Sequence, residues 1–202
     1  MPQQNKHGEL THRLALDLRS LLVDGSIDKS SFCLFYHPHR GMPDLDRPVR
    51  NGLIKLQFDS ESKPDIELTR CDIMIVSVQE HRAILLIEVE ESKDGAPPKT
   101  VFGDTYGVWM ASAVSLKKKR GIYKLSNTTL WTVVFEPEEG GKYKQYVFLQ
   151  DCFEKLQEPF QKLLHGTVHV TSTEVVRVKG GPESLSNTVI SKMRRDLVEL
   201  FA

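Results

Sequence analysis

The chain has 202 residues, of which 40% are hydrophobic, so it can bury the core of one domain. Its 27 acidic and 27 basic residues balance, which excludes a globally charged protein and leaves only a local basic patch for nucleic-acid contact. Three scattered cysteines without CxxC spacing, and no apolar run of signal-peptide or membrane-spanning length, argue against a disulfide framework, a zinc site and a membrane protein. We therefore predict a cytoplasmic protein.

The first predicted element is a helix over Glu9–Val23. Five leucines recur near one helical face, and Gly25 lies just past the end. Glu9 falls in the first turn, where a carboxylate interacts favourably with the helix dipole.

Residues 24–50 contain a short apolar stretch at 32–36 and then a segment with three prolines, which predicts an irregular loop. His37 and His39 lie in that loop without a Cys or His partner at metal-ligand spacing, so we predict exposed or substrate-facing side chains. Residues 53–58 alternate as a strand, which we expect to lie beside the hairpin that follows.

Two apolar runs, residues 73–78 and 83–87, are short, rich in β-branched residues and separated by four polar residues. This pattern predicts two adjacent strands joined as a hairpin. Because both runs are continuously apolar, we expect both faces of the sheet to be covered by helices.

Acidic residues stand at the ends of both runs. Asp72 opens the first strand, while Glu88 and Glu90 end the second, two residues apart and hence on one face. Asp72 shares that face only if an odd number of loop residues separates the strands. Three converging carboxylates would need protons or a cation, and hard oxygen ligands suit Mg²⁺ or Mn²⁺. The alternative is that these acids are ordinary strand ends that face water.

Asp72, the apolar hairpin and the sequence Glu88-Val89-Glu90 resemble the PD-(D/E)xK nuclease superfamily, which has the restriction-endonuclease-like fold. The resemblance implies an α/β domain of three α/β/α layers around a mixed central sheet. It also implies that Asp72 and Glu88 bind the metal ion. Glu90 stands where the superfamily pattern has lysine, as in some of its restriction enzymes. In several branches an acid on the first helix joins the metal site, which makes Glu9 a candidate fourth carboxylate.

A second helix is predicted over residues 100–114, in the position after the hairpin that the superfamily uses. Gly103 and Gly107 are four residues apart in it and predict close packing on the sheet. Basic side chains beyond the hairpin and along this segment are candidates for nucleic-acid contact: Lys93, Lys99, Lys117, Lys118, Lys119 and Arg120. For the last four, the alternative is a solvated helix C-terminus that the helix dipole favours.

The C-terminal third predicts strands at 130–135 and 167–178 and helices at 151–164 and 184–200, with a kink at Pro159. It carries no pattern that points to chemistry. We predict one nuclease-like domain over residues 1–202, with its core at 9–136 and a C-terminal extension of the same domain at 137–202.

These patterns predict a Mg²⁺- or Mn²⁺-dependent nuclease that hydrolyses nucleic acid, with DNA as the expected substrate and endonucleolytic cleavage as the expected reaction. Asp72, Glu88 and Glu90 are the candidate catalytic and metal-binding residues, with Glu9 as a further candidate ligand. No membrane partner is expected, and a homodimer is left open. One alternative is an inactive module of the same fold that binds nucleic acid or assembles, and another is an α/β protein of unrelated topology.

Overall fold

We describe the protein from a computed structural model, over residues 8–39, 41–58, 66–90, 97–116, 121–136, 146–179, 187, 190–192 and 195. The elements in chain order are α1 Glu9–Val23, β1 Phe32–Tyr36, β2 Arg50–Asn51, β3 Ile54–Gln57, β4 Glu67–Cys71, β5 Ile73–Ser77, β6 Arg82–Glu90, α2 Pro98–Trp109, β7 Ala113–Leu116, β8 Ile122–Glu136, α3 Tyr146–His165 and β9 Val170–Lys179. Residues 190–192 are also helical.

The strands form one mixed, open sheet of nine strands in the order β2-β1-β5-β6-β8-β7-β3-β4, with β9 also paired to β8. Strands β1, β5 and β6 are successively antiparallel, whereas β8 is parallel to β6 and β9 is parallel to β8. The long strand β8 pairs with two strands along one edge. Its first residues pair with β7, and its later residues pair with β9.

Helices cover the two faces of the sheet with separate hydrophobic cores. Helix α1 packs on one face with the side chains of Ile73, Ile75, Leu85 and Ile87. Helices α2 and α3 pack on the other face, where Met74 and Leu86 belong to the core. Successive residues of β5 and β6 therefore alternate between two buried environments, which explains why both runs are apolar throughout.

The α/β class and the mixed sheet agree with the sequence prediction, and α1 has the predicted bounds. The expectation that the 53–58 strand lies beside the hairpin is wrong, because β3 pairs with β4 and β7, whereas β5 is flanked by β1 and β6. The helix predicted over 100–114 ends at Trp109, and the chain then enters β7. Alternating short strands such as β4 and β7 carry too few residues for periodicity to identify them.

Residues beyond 136 contribute directly to the sheet. Strand β9 pairs with β8 from Thr128 to Glu136, and α3 contacts both α2 and β9. Helix α3 continues without interruption through Pro159, the position of the predicted kink. Of the helix predicted over 184–200, the structure describes helical residues 187, 190–192 and 195.

Candidate active site

The register of the β5–β6 hairpin decides where Asp72 lies. Ser77 pairs with Arg82 across a turn of four residues, 78–81, an even number that by itself would place Asp72 out of phase with Glu88. The register shifts between Ile75 and Val76, where Ile84 is an extra residue on β6. Beyond this bulge Ile73 pairs with Ile87, so the next position sets Asp72 opposite Glu88.

Asp72, Glu88 and Glu90 consequently share the face of the sheet that α2 covers. Met74 and Leu86, which alternate with them along the strands, belong to the core beneath α2 and α3. Burial raises the pKa of Glu88, and the charges of Asp72 and Glu90 add to the rise, so the three side chains are close enough to interact. The structure therefore brings together the three carboxylates that the sequence singles out.

The Asp72 residue is 5% exposed, and both of its carboxylate oxygens have hydrogen-bond partners. Its Oδ1 lies 2.8 Å from His39 Nε2, and its Oδ2 accepts a bond of 2.9 Å from the backbone N–H of Val89. These contacts hold the carboxylate against the end of β6. His39 comes from the loop after β1, and the sequence prediction of an exposed or substrate-facing side chain does not include this contact with Asp72.

Glu88 is the most strongly perturbed acid of the site. Burial, and then the charges of Asp72, Asp104 and Glu90, raise its pKa well above the ordinary value. The backbone N–H of Asp72 donates to its carboxylate and acts in the opposite direction. Its Oε2 is buried and has no hydrogen-bond partner among the described residues. A buried carboxylate oxygen without a donor favours a proton or a cation.

Asp104 of α2 is a fourth carboxylate that the sequence prediction does not include. It is hydrogen-bonded to Glu90, and burial raises its pKa, with the Asp72 charge adding to the rise. Burial, then the charge of Asp104 and the hydrogen bond to it, and then the charge of Asp72 raise the pKa of Glu90 to about 7. Two acids joined by a hydrogen bond share a proton. The signal in the sequence is that Asp104 is the one acid of the helix Pro98–Trp109.

The first turn of α1 borders the site through His39. Gly8 has φ +93°, and a Cβ at this position would lie 2.4 Å from Cβ of His39. Glu9 follows Gly8 and is exposed. On the other side of His39, the ring of His37 stacks on the His39 ring at 5.7 Å between centroids. The pKa of His37 is lowered by burial, which the charge of Asp72 partly opposes.

The candidate nucleic-acid contacts are described only in part. Lys99 is exposed in the first turn of α2. The other five, Lys93, Lys117, Lys118, Lys119 and Arg120, lie outside the described residues. Strand β7 ends at Leu116, and the prediction of a helix C-terminus at 117–120 lies outside the described residues.

The carboxylates of this site would bind a metal ion through oxygen atoms only. In the described part of the chain, no group of three or more His, Cys, Asp or Glu side chains is already arranged to hold one. The Asp72 oxygens are engaged by His39 and Val89, and Glu90 is engaged by Asp104. The unpartnered Glu88 Oε2 and the mutual repulsion of the acids nevertheless fit a divalent cation, which would replace the protons that the cluster holds.

Comparison with protein-family models, with curated proteins and with solved structures gives no match. None of the helices in the described residues is long and apolar enough to cross a membrane.

Proposed function

We propose that this protein is a metal-dependent nuclease that hydrolyses phosphodiester bonds of nucleic acid, with DNA as its substrate and internal cleavage as its mode of action. The observation that carries the proposal is the cluster of Asp72, Glu88, Glu90 and Asp104 at one end of a buried hairpin. Burial, and then repulsion from the neighbouring acids, raise the pKa of Glu88 and of Glu90. Such a cluster weakens the fold unless a cation or a reaction makes use of it.

The order of elements supports a restriction-endonuclease-like core. Helix α1 is followed by three successively antiparallel neighbours, β1, β5 and β6, and then by α2. Strand β8 follows α2 and is parallel to β6, as expected where a helix crosses over a sheet. If these elements form the core, four strands are additions around it: β2, β3, β4 and β7. Strand β9 extends the sheet beside β8.

Asp72 and Glu88 are the residues that would bind Mg²⁺ or Mn²⁺. A divalent cation bound there supplies a Lewis acid for the scissile phosphate and lowers the pKa of a coordinated water. His39 orients the Asp72 carboxylate through its 2.8 Å contact. Glu9, at the exposed edge next to Gly8, is retained as a candidate outer ligand.

Glu90 is the proposed general base. In the absence of a metal ion its pKa is about 7, so its carboxylate can accept a proton near neutral pH and is a stronger base than an ordinary glutamate. The hydrogen bond to Asp104 gives that proton a second site and fixes the orientation of the carboxylate. Glu90 thereby takes the position that lysine occupies in the superfamily pattern.

Basic side chains around the site would bind the negatively charged phosphates of the substrate. Lys93, Lys99 and the basic run 117–120 are the proposed contacts to phosphate, and a homodimer is compatible with such a nuclease.

A second candidate function is a non-catalytic nucleic-acid-binding or assembly module of the same fold. It is favoured by one observation, that both Asp72 oxygens are already satisfied by His39 and Val89. It requires binding of DNA without cleavage and without dependence on a divalent ion.

The test is incubation of purified protein with supercoiled and linear DNA in Mg²⁺, Mn²⁺ or EDTA. We expect nicking or linearisation of the plasmid with either ion and none in EDTA. Asp72→Asn and Glu88→Gln preserve side-chain shape and should each lower the rate at least ~100-fold. Glu154→Gln, an exposed acid of α3, is the matched control and should cleave like the wild type.

Three results separate the candidates. Cleavage by the wild type that Asp72→Asn retains would exclude the proposed site. Binding of DNA that is equal in Mg²⁺ and EDTA, without cleavage, would favour the inactive module. Neither binding nor cleavage of DNA or RNA would reject both candidates.

A further inference from the structure

Helix α3 carries an apolar stripe on its solvent side. Phe148, Leu156 and Leu163 are 64%, 44% and 83% exposed. They are eight and seven residues apart, so they lie within one quadrant of the helix, with Cys152 and Pro159 between them. Large apolar side chains aligned along three turns or more differ from the isolated exposed residues that protein surfaces normally carry.

Two sides of α3 contact different parts of the protein. On one side Gln150, Gln157 and Gln161 donate hydrogen bonds to backbone carbonyls of β9, so this side is bonded to the sheet edge. On the other side Phe102 of α2 meets Phe153 edge to face, and Tyr106 of α2 contacts Phe160 in a tilted arrangement. The stripe lies between this aromatic contact and solvent, and it continues the α2–α3 hydrophobic core outward.

Charged residues flank the stripe in alternating sign. Asp151, Lys155, Glu158 and Lys162 are three or four residues apart, so they form one row along α3. All four are exposed. Glu158 and Lys162 form an ion pair within the helix, but both are exposed, so the pair contributes little and can exchange partners.

This row is complementary to itself when two copies of α3 run antiparallel. With a two-fold axis beside Leu156, Asp151 lies level with the partner's Lys162, and Lys155 lies level with the partner's Glu158. This axis passes between residues 156 and 157, so it brings Leu156 beside its own copy and sets Phe148 about two residues from the level of the partner's Leu163. A parallel two-fold pair would instead carry the two rows to opposite flanks of the interface, so the rows would not meet.

We propose that this protein forms a two-fold symmetric homodimer through antiparallel packing of α3 against α3 of a second copy. The interface is isologous, with the stripe Phe148, Leu156 and Leu163 as its apolar centre and the charged row as its rim. The proposal does not depend on nuclease activity, since it uses only the surface of α3.

The test is a pair of charge-reversed variants examined by sedimentation equilibrium. Lys155→Glu/Lys162→Glu makes the row entirely acidic, and Asp151→Lys/Glu158→Lys makes it entirely basic. Each variant alone should lose at least about tenfold in dimer affinity, because four attractive contacts become repulsive. Mixing the two variants should restore a dimer that contains one copy of each, because opposite rows then meet.

An apolar substitution tests the centre of the interface. Leu163→Lys should shift the protein to monomer, whereas Val23→Lys should not; Val23 is a 58% exposed residue at the end of α1 and serves as the matched control. Circular dichroism should show the same helix content in every variant. A wild type that is monomeric at about 100 μM overturns the proposal. So does a dimer that persists in Leu163→Lys, or a mixture of charge variants that gives no mixed dimer.

Discussion

The two faces of strand β6 differ where the strand ends. Toward α1, Leu85, Ile87 and Val89 are all buried in a hydrophobic core. Toward α2, the same stretch places Leu86 in the core and then Glu88 and Glu90. The same backbone and the same neighbouring strands support both faces, so the sheet does not require acids at this end. The difference is the basis for the proposal that these carboxylates take part in chemistry.

Cavity formation on the apolar face should give the largest effect on stability. Ile87→Ala removes a fully buried side chain and should lower the free energy of unfolding by about 2–5 kcal/mol. Glu88→Gln, the neighbour on the other face, should leave that free energy within about 1 kcal/mol of the wild type or raise it, because repulsion is relieved. Urea denaturation of both variants makes the comparison. A larger loss for Glu88→Gln would mean that the carboxylate face is structural.

A Cβ placed against His39 by substitution of Gly8 should lower the free energy of unfolding by a smaller amount. Gly8→Ala sets a Cβ 2.4 Å from Cβ of His39 and also strains a residue with positive φ, so we expect a loss of about 1–3 kcal/mol. Gly25→Ala has a similar φ of +81° but open space around the Cβ, and it measures the backbone cost alone. Thermal unfolding of both should show the larger decrease for Gly8→Ala. Equal decreases would show that the contact with His39 relaxes freely.

The pH dependence of stability tests the carboxylate face directly. Burial, and then the carboxylates of Asp104 and Asp72, raise the pKa of Glu90 from its ordinary 4.5 to about 7. Between these values the folded protein binds more protons than the unfolded chain, so this contribution is complete below pH 4.5 and is lost as pH rises through about 7. As pH rises from 4.5 to about 7, the urea midpoint of the wild type should therefore fall relative to the urea midpoint of Glu90→Gln. A difference between the two that is constant with pH would contradict the raised pKa.

Local periodicity in the sequence identified the parts of the site that lie on one element. The 3.6-residue repeat of leucines located α1, and the two-residue repeat of a strand put Glu88 and Glu90 on one face. These features depend only on residues that are close in sequence. Pairing partners are different: β3 and β5 are equally compatible with several neighbours, and the sequence prediction for β3 was wrong.

Other members of the site became visible only in the tertiary structure. Asp72 comes into phase with Glu88 because Ile84 bulges from β6, and a bulge leaves no repeat in the sequence. Asp104 lies on helix α2 and His39 on the loop after β1, so their distances to the hairpin depend on how these elements pack. The sequence by itself determined the helix α1, the apolar hairpin and the shared face of two glutamates, through local side-chain repeats. The fold decided which distant side chains join them, because long-range pairing and burial are set by the whole chain.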